Sequence, residues 1–133
     1  MGRITSIGFF TYSHFSQSYT FKAKSWSEAL TKSRASDKFI IVDYGATWCK
    51  PCKQLDKLFL DSDIIKLIDT NYVLLKMQAD TTTKDSKSTK SMYLTSRMFK
   101  DSFEIRSYPT LLFFSSEGTI LHKEVGLKQK RNW

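Results

Sequence analysis

Residues 39–53 read FIIVDYGATWCKPCK, a short apolar run followed by a turn and a pair of cysteines. The run over 39–44 is rich in β-branched residues and almost continuously apolar, which is typical of a strand buried on both faces of a parallel sheet. After a turn over 45–48, Pro51 suits a first helical turn, because the N–H that proline lacks has no partner there. The segment therefore predicts a central strand that leads directly into a helix opened by the cysteines.

Cys49 and Cys52 are the two cysteines of the chain, and two residues separate them. This count excludes a disulfide-stapled scaffold and leaves three interpretations of the pair: a redox dithiol, half of a zinc site, or two incidental thiols. At a helix N-terminus, unpaired N–H groups and the macrodipole stabilise a thiolate, and Lys50 adds a nearby positive charge. We expect Cys49 to be the nucleophile and Cys52 to resolve the mixed disulfide.

Zinc binding is disfavoured by the shortage of ligands. A zinc ion needs four of them, and beyond the two thiols the obvious candidates are His14 and His122, which lie far apart without paired spacing. We interpret His122 as an ordinary strand residue and His14 as a surface residue. No metal, nucleotide or flavin cofactor is expected, and the redox-active group is the cysteine pair itself.

Asp43 interrupts the apolar strand six residues before Cys49. An acid inside such a strand costs free energy unless it has a partner or a role. We favour a functional role over a purely structural hydrogen bond, because strongly perturbed carboxyl groups concentrate at functional sites.

The flanking segments supply the neighbours of this strand. Ser25, followed three residues later by Glu28, predicts a capping box at the start of a helix over 26–34. Residues 61–63 can cap another helix before a strand over 72–77. Strand, helix and strand then follow in βαβ order, and the right-handed crossover rule places the second strand parallel to the first.

The second half of the chain predicts a loop, a short helix and a hairpin. Residues 81–91 are rich in Thr, Ser and Lys and predict an exposed loop, and a short helix is expected within 92–99. Residues 116–119 form a plausible turn between the apolar run over 111–114 and a strand over 120–125, so we expect an antiparallel pair there.

The chain length of 133 residues favours one domain over 1–133, with its core at about 25–126. Residues 1–24 are an aromatic-rich extension that we expect to form short extended pieces. Only seven residues follow Gly126, so a closing helix can be at most a stub. The predicted class is α/β, with a central mixed sheet flanked by helices.

The net charge of +8 suggests an acidic partner, but its distribution weakens that interpretation. Seven of the eight excess positive charges lie in the segments 82–100 and 123–133 rather than on a face interleaved with aromatic residues. A solvated surface is therefore favoured over a nucleic-acid interface. No apolar run approaches the length of about 20 residues that spans a bilayer.

Together these features resemble the thioredoxin family. Residues 42–53 look like its active-site segment, with Trp48 directly before the first cysteine and Pro51 directly before the second. Residues 105–114 look like the segment in which the family places a cis-proline facing the dithiol, here Pro109. The resemblance implies the thioredoxin fold and thiol–disulfide oxidoreductase activity of the protein disulfide reductase or isomerase type.

The resemblance also assigns roles to individual residues. Asp43 matches the family's buried acid, which is implicated in moving the proton of the second cysteine, and Lys76 matches a lysine that pairs with that acid. Tyr108, before a cis-proline, would offer its backbone to a bound peptide. The full set of residues expected to contact substrate is Trp48, Lys50, Pro51, Tyr108 and Pro109.

Within the family the chain looks most like small thioredoxin-like domains of bacterial envelopes. That likeness implies a protein of the periplasm or cell envelope whose leader is absent from this chain; because residues 1–21 lack an apolar core, the cytoplasm is the alternative. Expected partners are protein thiols and disulfides and a further redox partner, with the protein itself a monomer.

A different class of function stays open, namely a thioredoxin-fold binding module with little or no redox turnover. Two departures from the family are visible inside the domain. Tyr44 and Gly45 replace its usual aromatic pair, and residues 81–102 form a longer connection than the family minimum.

Overall fold

The computed structural model describes Tyr19 and residues 21–133. The extended pieces expected before Tyr19, and His14 with them, lie outside the described residues. Within the described part, one mixed sheet has the spatial order β1-β3-β2-β4-β5. Its strands are β1 (Lys22–Ala23), β2 (Phe39–Gly45), β3 (Tyr72–Gln78), β4 (Thr110–Phe114) and β5 (Ile120–Val125).

The central strand is β2, as the apolar run predicts. It pairs in parallel with β3 and antiparallel with β4, and β4 pairs antiparallel with β5. The βαβ order, the parallel pair and the terminal antiparallel pair are thus confirmed, and with them the α/β class. The short β1 pairs in parallel with β3, so the sheet begins at Lys22, slightly before the expected core at 25–126.

Helices cover both faces of the sheet. In the described part of the chain they are α1 (Trp26–Ser36), α2 (Lys50–Leu58), α3 (Ser62–Asn71), α4 (Lys87–Ser91) and α5 (Tyr93–Ser102). Residues of α1 and α5 pack with one side of β2, and residues of α2 and α3 pack with the other. None of these helices is long and apolar enough to cross a membrane.

Local caps explain where the helices begin. Ser25 Oγ accepts a hydrogen bond from the Glu28 N–H (3.1 Å), as predicted for α1. Glu28 Oε1 accepts from the Lys24 N–H (2.6 Å), one residue before the position that a standard capping box uses. Asp61 caps α3 by accepting from the N–H groups of Asp63 and Ile64.

The two faces of β2 hold different residues, because successive side chains of a strand point to opposite sides. Ile40, Val42 and Tyr44 are buried in the core on the α1 and α5 side. Ile41 is buried on the α2 and α3 side. Asp43 shares that second side by alternation, so the acid lies on the face that carries the cysteine helix.

Two segments differ in detail from expectation. The loop predicted over 81–91 ends early, because Ser86 Oγ accepts from the Thr89 N–H and caps the short helix α4; the loop prediction was wrong for its last five residues. At the C-terminus, a 3₁₀ helix (Lys130–Asn132) is the expected stub. Trp133 follows it and packs edge-on against Phe59, with ring centroids 5.6 Å apart.

Candidate active site

The cysteine pair lies at the start of α2. Cys49 is the N-cap residue, and it forms a disulfide with Cys52. The Cys52 N–H points at the Cys49 sulfur, with N and Sγ 3.2 Å apart. An N–H donor and the positive end of the helix dipole therefore already meet the sulfur that would carry negative charge after reduction.

An aromatic surface lies beside the disulfide. Trp48 is 69% exposed, and its ring meets Tyr108 edge to face at 5.7 Å between centroids. Tyr108 also stacks on Tyr44 and packs against the buried cluster that contains both cysteines. The Tyr108–Pro109 peptide bond is cis. Trp48 and Tyr108 thus lie together beside Cys49, and Lys50, the next residue in the chain, is exposed. Their contact with a substrate stays a prediction.

Asp43 is 3% exposed, and its Oδ2 atom is buried without a hydrogen-bond partner. Burial raises the pKa of this carboxyl from 3.8 to about 6. The positive charge of Lys76 opposes the rise in pKa, and the negative charge of Asp56 adds to it. Asp43 can therefore change protonation state near neutral pH.

Lys76 does not form the expected direct pair with Asp43. The two residues oppose each other in the parallel register of β2 and β3. The ammonium group instead donates to Asp56 Oδ1 at 2.8 Å. Both of these side chains are about half exposed, so the lysine keeps its charged end at the surface and avoids the cost of burial.

A cleft of about 670 Å³ connects these groups. Asp43, Cys52, Asp56 and Lys76 all line it. Gly45 lines it too, and a Cβ atom built at this glycine would lie 3.1 Å from the Cys52 sulfur. The small residue at 45, where the family usually has an aromatic one, leaves room for the second cysteine.

Sequence reasoning missed Asp56 and the support of the loop before Cys49. The available signal for Asp56 was its position four residues after Cys52, which places both on one helix face. In the loop, the N–H and hydroxyl of Thr47 both donate to the carboxylate of Asp80. The Ala79 N–H donates to the Gly45 carbonyl at 2.8 Å, so the end of β3 holds the loop in place.

The zinc alternative finds no support around His122. This residue lies exposed on β5, as expected for an ordinary strand residue. Its Nε2 atom lies 2.8 Å from Glu124 Oε1. Across Tyr19 and residues 21–133, no group of three or more His, Cys, Asp or Glu side chains could hold a metal ion.

A disulfide at a helix start, beside an exposed aromatic surface and above a buried acid, defines the class of thiol–disulfide oxidoreductases. The family model described as Thioredoxin-like matches residues 20–116. The chain belongs to this thioredoxin-like family, and its mixed sheet with flanking helices is a thioredoxin fold.

Individual relatives agree with this assignment. Thioredoxin H1 of Arabidopsis thaliana is 32% identical over 80% of this chain and 77% of its own length. The thioredoxin of Rickettsia typhi is 33% identical over 73% of this chain and 76% of its own. The solution structure of a candidate disulphide-isomerase from Bacteroides thetaiotaomicron superposes with a TM-score of 0.66 at 28% identity, covering 86% of this chain and 84% of that one.

The protein is therefore a thiol–disulfide oxidoreductase, and the expected fold and enzyme class are confirmed. Proteins of this family act on protein disulfides. The expected location in the periplasm or cell envelope stays a prediction.

Proposed function

We propose that the protein exchanges disulfides with protein substrates, with Cys49 as the attacking sulfur and Cys52 as the resolving sulfur. The observation that carries this assignment is the Cys52 N–H directed at Cys49 Sγ at the start of α2. A donor at that place stabilises a thiolate on Cys49 and offers no such help to Cys52. Cys49 itself is 3% exposed, and it adjoins the exposed Trp48, which marks the side from which a substrate would approach.

The reductive direction proceeds in two exchanges. The Cys49 thiolate attacks one sulfur of the substrate disulfide, which breaks that S–S bond, forms a mixed disulfide and releases the first substrate sulfur as a thiolate. Cys52, once deprotonated, attacks Cys49 and releases the second substrate sulfur. The substrate gains two electrons and two protons, and the enzyme is left with the Cys49–Cys52 disulfide, which an external dithiol reduces again.

Asp43 is proposed to accept the proton of Cys52 before the second exchange. A general base works best when its pKa lies near the operating pH, and burial raises the pKa of Asp43 to about 6. Both side chains line the same cleft. Water in that cleft can carry the proton onward.

The substrate is proposed to be an extended protein segment that lies across Trp48 and Tyr108. Their rings form an edge-to-face pair beside the disulfide, and aromatic surfaces of this kind bind peptide side chains with little loss of conformational entropy. Lys50, Pro51 and Pro109 complete the proposed contact surface around Cys49.

The test is reduction of insulin by dithiothreitol, with the wild type, Cys49→Ser and Cys52→Ser compared. We expect the wild type to accelerate precipitation of the insulin chains and Cys49→Ser to lose that acceleration. Cys52→Ser should accumulate a mixed disulfide at Cys49, visible as an added substrate mass that a reductant removes. Equal acceleration by wild type and Cys49→Ser would refute the assignment.

The same experiment separates turnover from a binding role. A wild-type protein that binds substrate but does not accelerate reduction would favour the binding-module alternative. Equilibration of the cysteine pair in glutathione buffers then measures its reduction potential, which decides whether reduction or oxidation of substrates is the favoured direction.

A further inference from the structure

Asp56 occupies a position that the exchange reaction itself does not explain. It lies on α2 four residues after Cys52, so the two side chains share one face of the helix. Its Oδ1 atom accepts a hydrogen bond from Lys76 Nζ at 2.8 Å. The side chains of Asp56 and Lys76 are 45% and 53% exposed, which places their ion pair at the mouth of the cleft.

Lys76 is the cation best placed to pair with the buried acid. Its Cα opposes that of Asp43 in the β2–β3 register, so both side chains leave the sheet on the same face. Asp43 Oδ2 nevertheless has no hydrogen-bond partner, and the ammonium group of Lys76 pairs with Asp56 instead.

We propose that Asp56 is a positioning residue that holds Lys76 at the mouth of the cleft and so keeps the Asp43 carboxyl unpaired beside Cys52. A lysine in direct contact with Asp43 would stabilise the ionised carboxylate and make it a weaker base. The effect of Asp56 on turnover rests on the proposed proton transfer from Cys52 to Asp43. Its effect on Lys76 and on the Asp43 carboxyl does not depend on that transfer.

Other ionisable groups also face Asp43. Cys52 and Lys53 line the cleft from α2, and Lys22 and Lys24 line it from the segment around β1. Burial raises the pKa of the Tyr19 hydroxyl, and the negative charges of Asp69 and Asp43 add to the rise. Among the charges that act on the Asp43 carboxyl, Lys76 lowers the pKa and Asp56 raises it. Removing Asp56 deletes the charge that raises the pKa and releases the lysine that lowers it, so both consequences lower the pKa of Asp43.

The test replaces Asp56 by Asn and follows the Asp43 carboxyl carbon by NMR across a pH titration of the oxidised protein. We expect the Asp43 midpoint to fall from about 6 toward 3.8, because the lysine is released and a nearby negative charge is lost. Asp56→Glu, which can still hold the lysine, should keep the midpoint near that of the wild type.

Three further variants control for net charge and isolate the role of the lysine. Asp63→Asn removes a carboxylate on α3 that pairs with Lys130, and it should leave the Asp43 midpoint unchanged despite the same change in net charge. Lys76→Gln should raise the midpoint. Adding Asp56→Asn to Lys76→Gln should then lower the midpoint less than Asp56→Asn does alone, since no lysine remains to be released.

The outcomes separate this proposal from the proposed proton transfer. An Asp43 midpoint that does not move in Asp56→Asn, or that falls as far in the Lys76→Gln background as in the wild type, overturns the positioning role, whatever the activity of the variant. A midpoint that falls, together with a matching shift to lower pH in the acidic limb of mixed-disulfide resolution, supports both proposals. A midpoint that falls while the resolution profile stays fixed supports the positioning role and overturns the proton transfer.

Discussion

Asp43 on the central strand and Asp85 in the connection after β3 are the same residue type in opposite environments. Asp85 accepts hydrogen bonds from the Tyr93 hydroxyl, the Gln78 side-chain amide, and both the N–H and the hydroxyl of Thr82. These donors hold the pKa of Asp85 well below its ordinary value. Asp43 has a buried oxygen without a partner, and burial raises the pKa of this group.

The difference lies in which protonation state the surroundings favour. Donors around Asp85 stabilise its ionised form, so this carboxylate keeps its charge and ties the connection to β3 and α5. The desolvated Asp43 is stabilised in its neutral form, so it can exchange a proton near neutral pH. One acid is a structural link, and the other is suited to proton transfer.

Replacing Asp43 should change stability and the rate of disulfide exchange more than replacing Asp85 or Gln78. It removes a carboxylate whose burial costs free energy at neutral pH. A pKa raised from 3.8 to about 6 corresponds to about 3 kcal/mol. The folded state binds the Asp43 proton more tightly than the unfolded state does. Proton binding therefore stabilises the fold below pH 3.8, and this stabilisation is lost as the pH rises through 6. We expect Asp43→Asn to be more stable than the wild type at pH 7, with resolution of the mixed disulfide slowed about 100-fold.

Urea denaturation at pH 4 and pH 7, combined with rapid-quench trapping of the mixed disulfide, measures both effects. Asp63→Asn, which removes an exposed carboxylate on α3, is the control for loss of a carboxylate. Equal stability differences between wild type and Asp43→Asn at the two pH values would contradict a raised pKa for Asp43.

Replacing Asp85 should destabilise the connection after β3 at neutral pH, whereas replacing Asp43 should stabilise the protein there. Asp85→Asn keeps the size of the side chain but loses the charge that attracts four donors, so residues 81–92 should open more often. Because its folded-state pKa is lowered, the stabilising contribution of Asp85 is present at neutral pH and is lost as the pH falls below 3.8.

Limited trypsin digestion at neutral pH measures this opening through cleavage after Lys87 and Lys90, whose following residues are unchanged in the variant. We expect faster cleavage at these lysines in Asp85→Asn, and an unchanged rate in Asp101→Asn, which alters an exposed acid at the end of α5. Cleavage in this segment at the wild-type rate would show that Asp85 does not hold it.

Features that depend on neighbouring residues were predictable from sequence. The apolar run at 39–44 gave the central strand, Ser25 and Asp61 gave two helix starts, and the cysteine spacing gave the dithiol at the start of α2. Each rests on contacts within a few residues, so the local pattern contains the necessary information.

Several side-chain contacts between elements were not predicted, although the pairing of the strands was. The pairing of Lys76 with Asp56 requires the placement of α2 over β3, and the resemblance to a family pointed to Asp43 as the partner instead. Helix α4 was missed because its Ser, Thr and Lys composition is typical of a loop. The contact of Trp133 with Phe59 joins segments far apart in the sequence.

The smallest expected effect concerns Gln78, which connects the two regions. Its side-chain amide donates both to Asp85 and to the carbonyl of Asp80, and the Asp80 carboxylate binds Thr47 in the loop before Cys49. Gln78→Met removes both donations while keeping the length of the side chain, and should cost about 1 kcal/mol. Faster hydrogen exchange at the Thr47 amide, with insulin reduction close to the wild-type rate, is the expected result. If exchange at Thr47 is unchanged while trypsin cleavage after Lys84 increases, Gln78 supports the connection alone and the two regions respond independently.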